Sequence, residues 1–423
     1  MESMKCFEIQ GQKPLIGEIA VNGSKNSVLS LIPALCIGEG TGILKNSPII
    51  SDISSMKAIL NELNIDITTN RDELVISNDI CYSKLSPAFV SRIRASNLFL
   101  GVLLSKYGKA EVPVPGGDRI GNRPLDIHFY IFSKFGIDTR VEDGYIKCNA
   151  TEFPFEGQTV FLRYPSVGAT ENAMLIASLA KSSSIIYNAA MEPEITDMAI
   201  LLNKMGASIS GAGTPVIRII PAKELKRVEH DIMPDRLEAG TMMFYAAATK
   251  GRVIIKNVVP SHLISVISLL SDCGVNVTVG TDSIEINAMQ SNEYSNIYVS
   301  ALPYPGFPTD LQPFASVFAF LCQGESVIED NVYKERFAYL QEVMKMGLSF
   351  NQSYGTVLIK GPQKFTGAEM EGFDIRMTAA VIMAALMGEG VSRIHGLSHL
   401  YRGYDNFYDK LKAVKADIKL CNL

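Results

Sequence analysis

The chain has 423 residues, 47% of them apolar, enough for two or three domains with buried cores. A formal net charge of −5 gives no reason to expect nucleic acid or an anionic membrane as a partner, so any anionic ligand needs cations concentrated locally. No apolar run approaches the roughly 18 to 20 residues that cross a bilayer, and the opening MESMKCFEIQ lacks the basic start and apolar core of a secretory signal, which favours the cytosol.

In chain order, one pattern recurs six times at intervals of about 70 residues: a helix-like apolar stretch, a turn, an alternating strand, a second turn and a second strand. The turn after the helix falls at Asn64, Gly136, Gly206, Gly274, Gly347 and Lys415. Glycine suits a helix C′ position because it takes positive φ freely, and asparagine is next best. Lys415 fits less well and marks the last unit, KLKAVKADIKL, as truncated. Alternation such as Val275, Val277 and Val279 predicts half-buried strands, and Asp143–Gly144 predicts a hairpin. Each unit also holds a stretch apolar almost all round: Leu31 to Ile37, Phe99 to Ser105, Ala173 to Lys181, Thr241 to Thr249, Phe314 to Leu321 and Met377 to Met387. Such helices are buried. The expected class is α/β, with repeated inner helices flanked by sheets.

Cysteines at 6, 36, 81, 148, 273, 322 and 421 are odd in number and lack CxxC spacing, so they read as reduced and structural. Of five histidines, 128, 230, 262, 395 and 399, only the last two share helical spacing, and Ser392–Arg393–Ile394 before them reads as a strand. No metal site is expected.

Four stretches and a scattered set of arginines can carry chemistry. VNGSKNS presents Lys25 and Asn26 after a glycine, as either a solvated turn lysine or a cation aimed into a site. VPVPGGDRIGNRPLDIH, from Val112 to His128, joins two prolines, Gly116 and Gly117 to Asp118 and Arg119; it reads as a mobile loop, with Arg123, Asp126 and His128 where it rejoins the scaffold. PSVGATEN puts Ser166, Val167 and Gly168 at a helix N-terminus, where free N–H groups favour an anion. YPGFPTDLQ holds Asp310 between proline-broken turns, to cap the following helix, to act on a ligand, or both. Arg94, Arg123, Arg376 and Arg402 are either surface charges or forked donors for phosphate and carboxylate.

The PGGDRIGNRPLD segment, together with the KN, PSVGATEN, PTDLQ and YRGY stretches in matching order across essentially the full chain, resembles the enolpyruvyl transferases, specifically the branch acting on UDP-N-acetylglucosamine. The resemblance implies a two-domain inside-out α/β barrel of six βαβαββ-like repeats. One domain would span 25–232 and carry the catalytic loop 112–123. The other would combine 1–24 with 233–423, and the active site would lie in the cleft between them. It implies phosphoenolpyruvate and UDP-N-acetylglucosamine as substrates and no metal or other cofactor. Asp118 becomes the proton donor and Asp310 the base, with Lys25 and Arg402 as catalytic cations. Asn26, Arg94, Arg123, Pro124, Leu125, Asp126, Ile127, Ser166, Val167, Gly168, Val332 and Arg376 become substrate contacts, the 123–127 run framing the uracil. Asp235 and Arg236 are read as ties between the domains. Shikimate-specific members would show a DKSxSxR-type start instead of NGSKNS. Asp118 stands where the family commonly has cysteine, which implies insensitivity to the thiol-alkylating drug fosfomycin, and Tyr401 stands where an aspartate commonly precedes RGY. Another nucleotide acceptor, or a non-catalytic sugar-nucleotide-binding paralogue, remains open.

Overall fold

The computed structural model describes residues 5–118, 120–121, 123–291 and 293–422. They form two compact units, one of residues 5–22, 120–121 and 234–422, the other of residues 23–118 and 123–233. Each unit contains three small sheets and three repeats.

One repeat gives the plan. Strand Thr159–Phe161 leads through helix Val167–Ala177 to strand Ser184–Tyr187, which pairs with it in parallel. Helix Pro193–Met205 then leads to the antiparallel hairpin Ser208–Ser210 and Val216–Ile220, whose second strand closes on Ser184–Tyr187. The order is βαβαββ.

Three repeats take a strand from elsewhere in the chain. The one built on helix Lys25–Cys36 uses Glu229–Asp231, parallel to Gly42–Lys45. The one built on helix Arg236–Ala248 uses Ile16–Ala20, parallel to Arg252–Lys256. The sixth, expected to be truncated, is whole: strand Lys5–Gln10 lies between Val391–His395 and Ile418–Asn422, antiparallel to both. Its missing strand sits at the other end of the sequence, where no local pattern announces it.

Apolar burial organises each unit. Every residue of helices Arg236–Ala248, Gln312–Ala319 and Ile375–Met387 is buried, and the three pack on one another. In the other unit, helix Lys25–Cys36 is buried from Ser27 onward, Leu98–Tyr107 as far as Ser105, and Val167–Ala177 from Ala169. A fully buried Leu, Ile, Val, Phe or Met contributes about 1.5–3 kcal/mol, so packing rather than helix propensity holds these segments. Among the described residues no helix is long and apolar enough to cross a membrane.

All six turn positions have positive φ: 62° at Asn64, 72° at Gly136, 123° at Gly206, 103° at Gly274, 86° at Gly347 and 67° at Lys415. A second left-handed set, Asn46, Asn188 and Asn257, follows the inner strands. The side-chain amides of these three donate to the carbonyls of Ile232, Leu162 and Val21, fastening each parallel strand to its neighbour.

Candidate active site

Each inner helix begins earlier than its most apolar stretch, and at or just before those extra first turns stand half of the site residues singled out by sequence. Lys25 and Asn26 open helix Lys25–Cys36, where Ser24 Oγ accepts the Ser27 N–H at 3.2 Å. Val167 and Gly168 open their helix behind Ser166, whose Oγ accepts the Ala169 N–H at 3.4 Å. Arg376 is the second residue of helix Ile375–Met387, capped by Asp374, which accepts the Met377 N–H at 2.8 Å. Asp310 lies in the 3₁₀ turn Thr309–Leu311 just before helix Gln312–Ala319, and Arg94 opens the 3₁₀ turn Arg94–Asn97 before Leu98–Tyr107. The others occupy the loop after the following strand. These are Asp118, Arg123, Pro124 and Leu125, then Asp126 and Ile127 starting helix Asp126–Lys134, Val332 after strand Cys322–Asp330, and Arg402 between helices Leu397–Leu400 and Phe407–Ala413. A helix start offers unpaired N–H groups and the positive end of the dipole, both suited to anions.

In the unit of residues 23–118 and 123–233, the Lys25 ammonium lies 3.3 Å from the buried carboxylate of Asp52. Arg94 Nη2 donates to the Arg123 carbonyl at 2.5 Å. The two loop glycines serve close approach as well as flexibility. A Cβ at Gly116 would fall 1.7 Å from the Ser91 carbonyl oxygen, and one at Gly117, where φ is 108°, would fall 3.1 Å from Arg94 Cβ. The loop base therefore lies flat on the segment that carries Arg94, with Asp118, half-buried, next in line. Asp126 is exposed and paired with Arg163. Beneath Gly168 sits His128: a Cβ on that glycine would come within 3.2 Å of His128 Cε1. Burial, and then the nearby Arg94, push the imidazole down to about 3. It is neutral, so its Nδ1 accepts from the Asn172 amide at 3.0 Å, and Asn172 Oδ1 accepts the Gly101 N–H at 2.8 Å.

In the other unit, Asp310 is the anion shared by two buried guanidinium groups. Arg336 Nη1 is 2.7 Å from Oδ1, and Arg376 Nε is 3.4 Å from Oδ2. The Asp310 carboxylate is thus committed to arginines, and helix Gln312–Ala319 has no side-chain cap, so the capping role allowed for Asp310 is not the one observed. Arg336 also donates to Thr309 Oγ1 at 3.2 Å, and Thr309 donates to Asp330 at 2.6 Å. Asp330 in turn accepts the N–H groups of Val332 and Tyr333, which fixes the loop bearing Val332. Burial works against the Arg336 charge, and Asp310, Asp374 and Asp330 more than offset it. Arg376 packs over the Tyr404 ring at 5.0 Å. Asp235 caps helix Arg236–Ala248 within this unit, accepting the N–H groups of Leu237 and Glu238. Sequence reasoning passed over Asp52, Arg336 and Asn172, which orient the named residues from behind and carry no motif of their own; Asn172 alone had a signal, as the last residue of PSVGATEN.

The sequence profile of the EPSP synthase (3-phosphoshikimate 1-carboxyvinyltransferase) family matches residues 9–411. A UDP-N-acetylglucosamine 1-carboxyvinyltransferase 1 of Carboxydothermus hydrogenoformans is 39% identical over 419 residues, covering 99% of both chains. A UDP-N-acetylglucosamine 1-carboxyvinyltransferase 2 of Staphylococcus saprophyticus is 36% identical over 420 residues, covering 98% of this chain and 99% of the relative. Among solved structures, the enolpyruvyl transferase NikO from Streptomyces tendae superposes with a TM-score of 0.88 at 22% identity over 100% of both chains. EPSP synthase from Acinetobacter baumannii does so with 0.75 at 18% identity, over 99% of this chain and 100% of the other; at such identities these two speak to the fold alone. By this full-length kinship the chain belongs to the enolpyruvyl transferase family, in the branch of the UDP-N-acetylglucosamine 1-carboxyvinyltransferases.

Proposed function

We propose that the chain transfers the enolpyruvyl group of phosphoenolpyruvate to the 3-hydroxyl of UDP-N-acetylglucosamine with release of phosphate, as the first committed step of peptidoglycan precursor synthesis in the cytosol. The observation that carries this reading is full-length identity of 36–39% to relatives bearing that activity in their names. The separate polar residues fit it. Phosphate, carboxylate and diphosphate are all anions, and Lys25, Arg94, Arg123, Arg376, Arg402 and the Ser166–Gly168 helix start supply cations and free N–H groups.

The reaction is an addition followed by an elimination. Asp310, ionised beside Arg336 and Arg376, orients the attacking hydroxyl and takes its proton as the oxygen bonds to C2 of phosphoenolpyruvate. Asp118 gives a proton to C3. Lys25, Arg123 and Arg402 stabilise the charge gathered on phosphate and carboxylate. Loss of phosphate and of a C3 proton then restores the double bond in the enolpyruvyl ether. The proposed domain limits are 25–232 and 1–24 plus 233–423.

The test is phosphate release from phosphoenolpyruvate with UDP-N-acetylglucosamine and with a panel of other uridine nucleotides, alongside Asp118→Asn. Turnover confined to the sugar nucleotide and reduced about 10²- to 10⁴-fold in the variant is expected. Nucleotide binding without phosphate release, or full activity of Asp118→Asn, overturns the assignment.

A further inference from the structure

Strand Lys5–Gln10 and strand Ile418–Asn422, at opposite ends of the chain, lie side by side and antiparallel. Their register makes Cys6 and Cys421 direct partners, one pair in from the final pair, Lys5 and Asn422. Both are free thiols. Direct partners point to the same face of a sheet, and successive residues to opposite faces. Phe7, Ile9 and Ile418 take the inner face and are buried, so the two cysteines share the outer face with Glu8 and Lys419.

The ladder sets their spacing. The Gln10 N–H donates to the Asp417 carbonyl at 2.9 Å, so 10 and 417 are a hydrogen-bonded pair. Two residues at a time along the register, 8 with 419 and then 6 with 421 are hydrogen-bonded pairs as well. The Cα atoms of such a pair lie ~5.5 Å apart, inside the ~4.4–6.8 Å that disulfides span. Their Cβ atoms start up to ~5.5 Å apart and must close to ~4.5 Å or less. That shift of roughly 1 Å is easiest at the end of a ladder, and a bridge formed under strain is readily reduced again.

Access singles this pair out. Cys421 is half-buried. Cys6 is only 1% exposed, yet it stands on the outer face among the charges of Arg393, Glu8 and Glu369. Burial first, and Cys421 next, push its thiol up, as two neighbouring thiols that oppose each other's ionisation should. Cys273 and Cys322 are also neighbours, but both are fully buried and donate to the carbonyls of Leu270 and Phe318, out of reach of an oxidant.

We propose that Cys6 and Cys421 are a redox modification site, a dithiol that low-molecular-weight disulfides convert reversibly into a bridge fastening the first strand to the last. The Cys421 thiolate attacks one sulfur of oxidised glutathione and expels a glutathione thiolate. The Cys6 thiolate then attacks the Cys421 sulfur of that mixed disulfide and expels the second. Two protein thiols are oxidised to one disulfide, one glutathione disulfide is reduced to two thiols, and the two protons pass to the glutathione. Strand Lys5–Gln10 packs on helix Ile375–Met387, so the bridge closes the sheet behind that helix. The site is independent of the enolpyruvyl-transfer reading.

The experiment incubates the full chain, carrying Cys81→Ser to remove the exposed thiol, with oxidised glutathione, blocks the remaining thiols, and maps the digest by mass spectrometry. The peptide bearing Cys6 should appear joined to the peptide bearing Cys421, and dithiothreitol should separate them. Cys6→Ser should stop with glutathione held on Cys421, and Cys421→Ser should leave Cys6 unmodified. If the serine at position 6 prevents folding, the joined peptide in the parent chain still decides. Glutathione resting on Cys421 beside an unreacted Cys6, a bridge from either cysteine to a different one, or no reaction at either overturns the proposal. Urea unfolding tests the fastening: the bridged chain should have a midpoint about 0.5–1 M above the reduced one, a shift absent from both variants. An unmoved midpoint in the bridged chain overturns the claim that the bridge secures the sheet.

Discussion

Replacing Arg336 by alanine removes a guanidinium that is only 6% exposed and lies 2.7 Å from Asp310. Deleting one partner of a buried pair costs about 3–5 kcal/mol in the limit of full burial. Asp310 is 26% exposed, however, and Arg376 stays 3.4 Å from its other oxygen, so water and the second cation should reduce the loss to about 2 kcal/mol. In a unit of this size that lowers Tm by roughly 4–8 °C. The catalytic effect should be larger. The carboxylate loses one of the two arms that aim it, and a misplacement of about 1 Å can cost ~10²-fold. The assay is a double-mutant cycle of Arg336→Ala and Asp310→Asn, read both by urea unfolding and by phosphate release. A coupling of about 0.5–3 kcal/mol in stability is expected, with little further loss of kcat in the double variant. Additive effects, or an Arg336→Ala kcat within twofold of wild type, would refute the idea that Arg336 works through Asp310.

Other consequences follow from the same geometry. His128 is neutral in the folded chain down to about pH 3, whereas in the unfolded chain it takes a proton below its ordinary 6.5. The stability it confers is therefore complete above pH 6.5 and drains away between 6.5 and 3, at about 1.4 kcal/mol per pH unit and at most ~4–5 kcal/mol in total. Urea titrations of His128→Gln should show a shallower acid limb than wild type. Gly116→Ala would drive a methyl into the Ser91 carbonyl, so the loop base must lift; activity should fall at least tenfold while the rest of the fold, seen by circular dichroism, stays intact. Asp118 offers fosfomycin a carboxylate in place of a thiolate, so the wild type should keep its activity after incubation with the drug. Asp118→Cys should be inactivated in a time-dependent way with the adduct on residue 118, and rapid stoichiometric inactivation of the wild type would sink this reading.

What the sequence disclosed, and what it hid, follows from how far apart the determinants lie. The six turns were legible because left-handed backbone selects glycine and asparagine locally, and φ is positive at all six positions. Lys415 shows the limit: its φ of 67° is imposed by the repeat against its own preference, so composition undersold it. The inner helices were legible as apolar runs, and the start behind Ser166 was legible too; the starts at Lys25 and near Arg376 were not, because polar residues there end an apolar pattern. The sixth repeat looked truncated because its last strand, Lys5–Gln10, lies at the opposite end of the chain. Arg336 was invisible for another reason. KERF looks like any solvated turn, and only the fold shows its guanidinium buried against Asp310.

These two kinds of legibility meet in an account of how a chain of net charge −5 can handle anions. Net charge acts over distances that salt screens within about 8–10 Å, whereas a helix start acts at contact. A βαβαββ repeat makes one buried helix whose first turn presents N–H groups that need partners. Three repeats in a unit make that position three times, and substitution there changes the chemistry while the buried turns behind it hold the fold. In the unit of residues 234–422 the position became Arg236, Asp310 and Arg376; in the other it became Lys25, Arg94 and Ser166–Gly168. Repetition of one structural unit thus supplies helix starts at which single residues, whether Lys25, Arg376 or Asp310, set the local charge independently of the net charge.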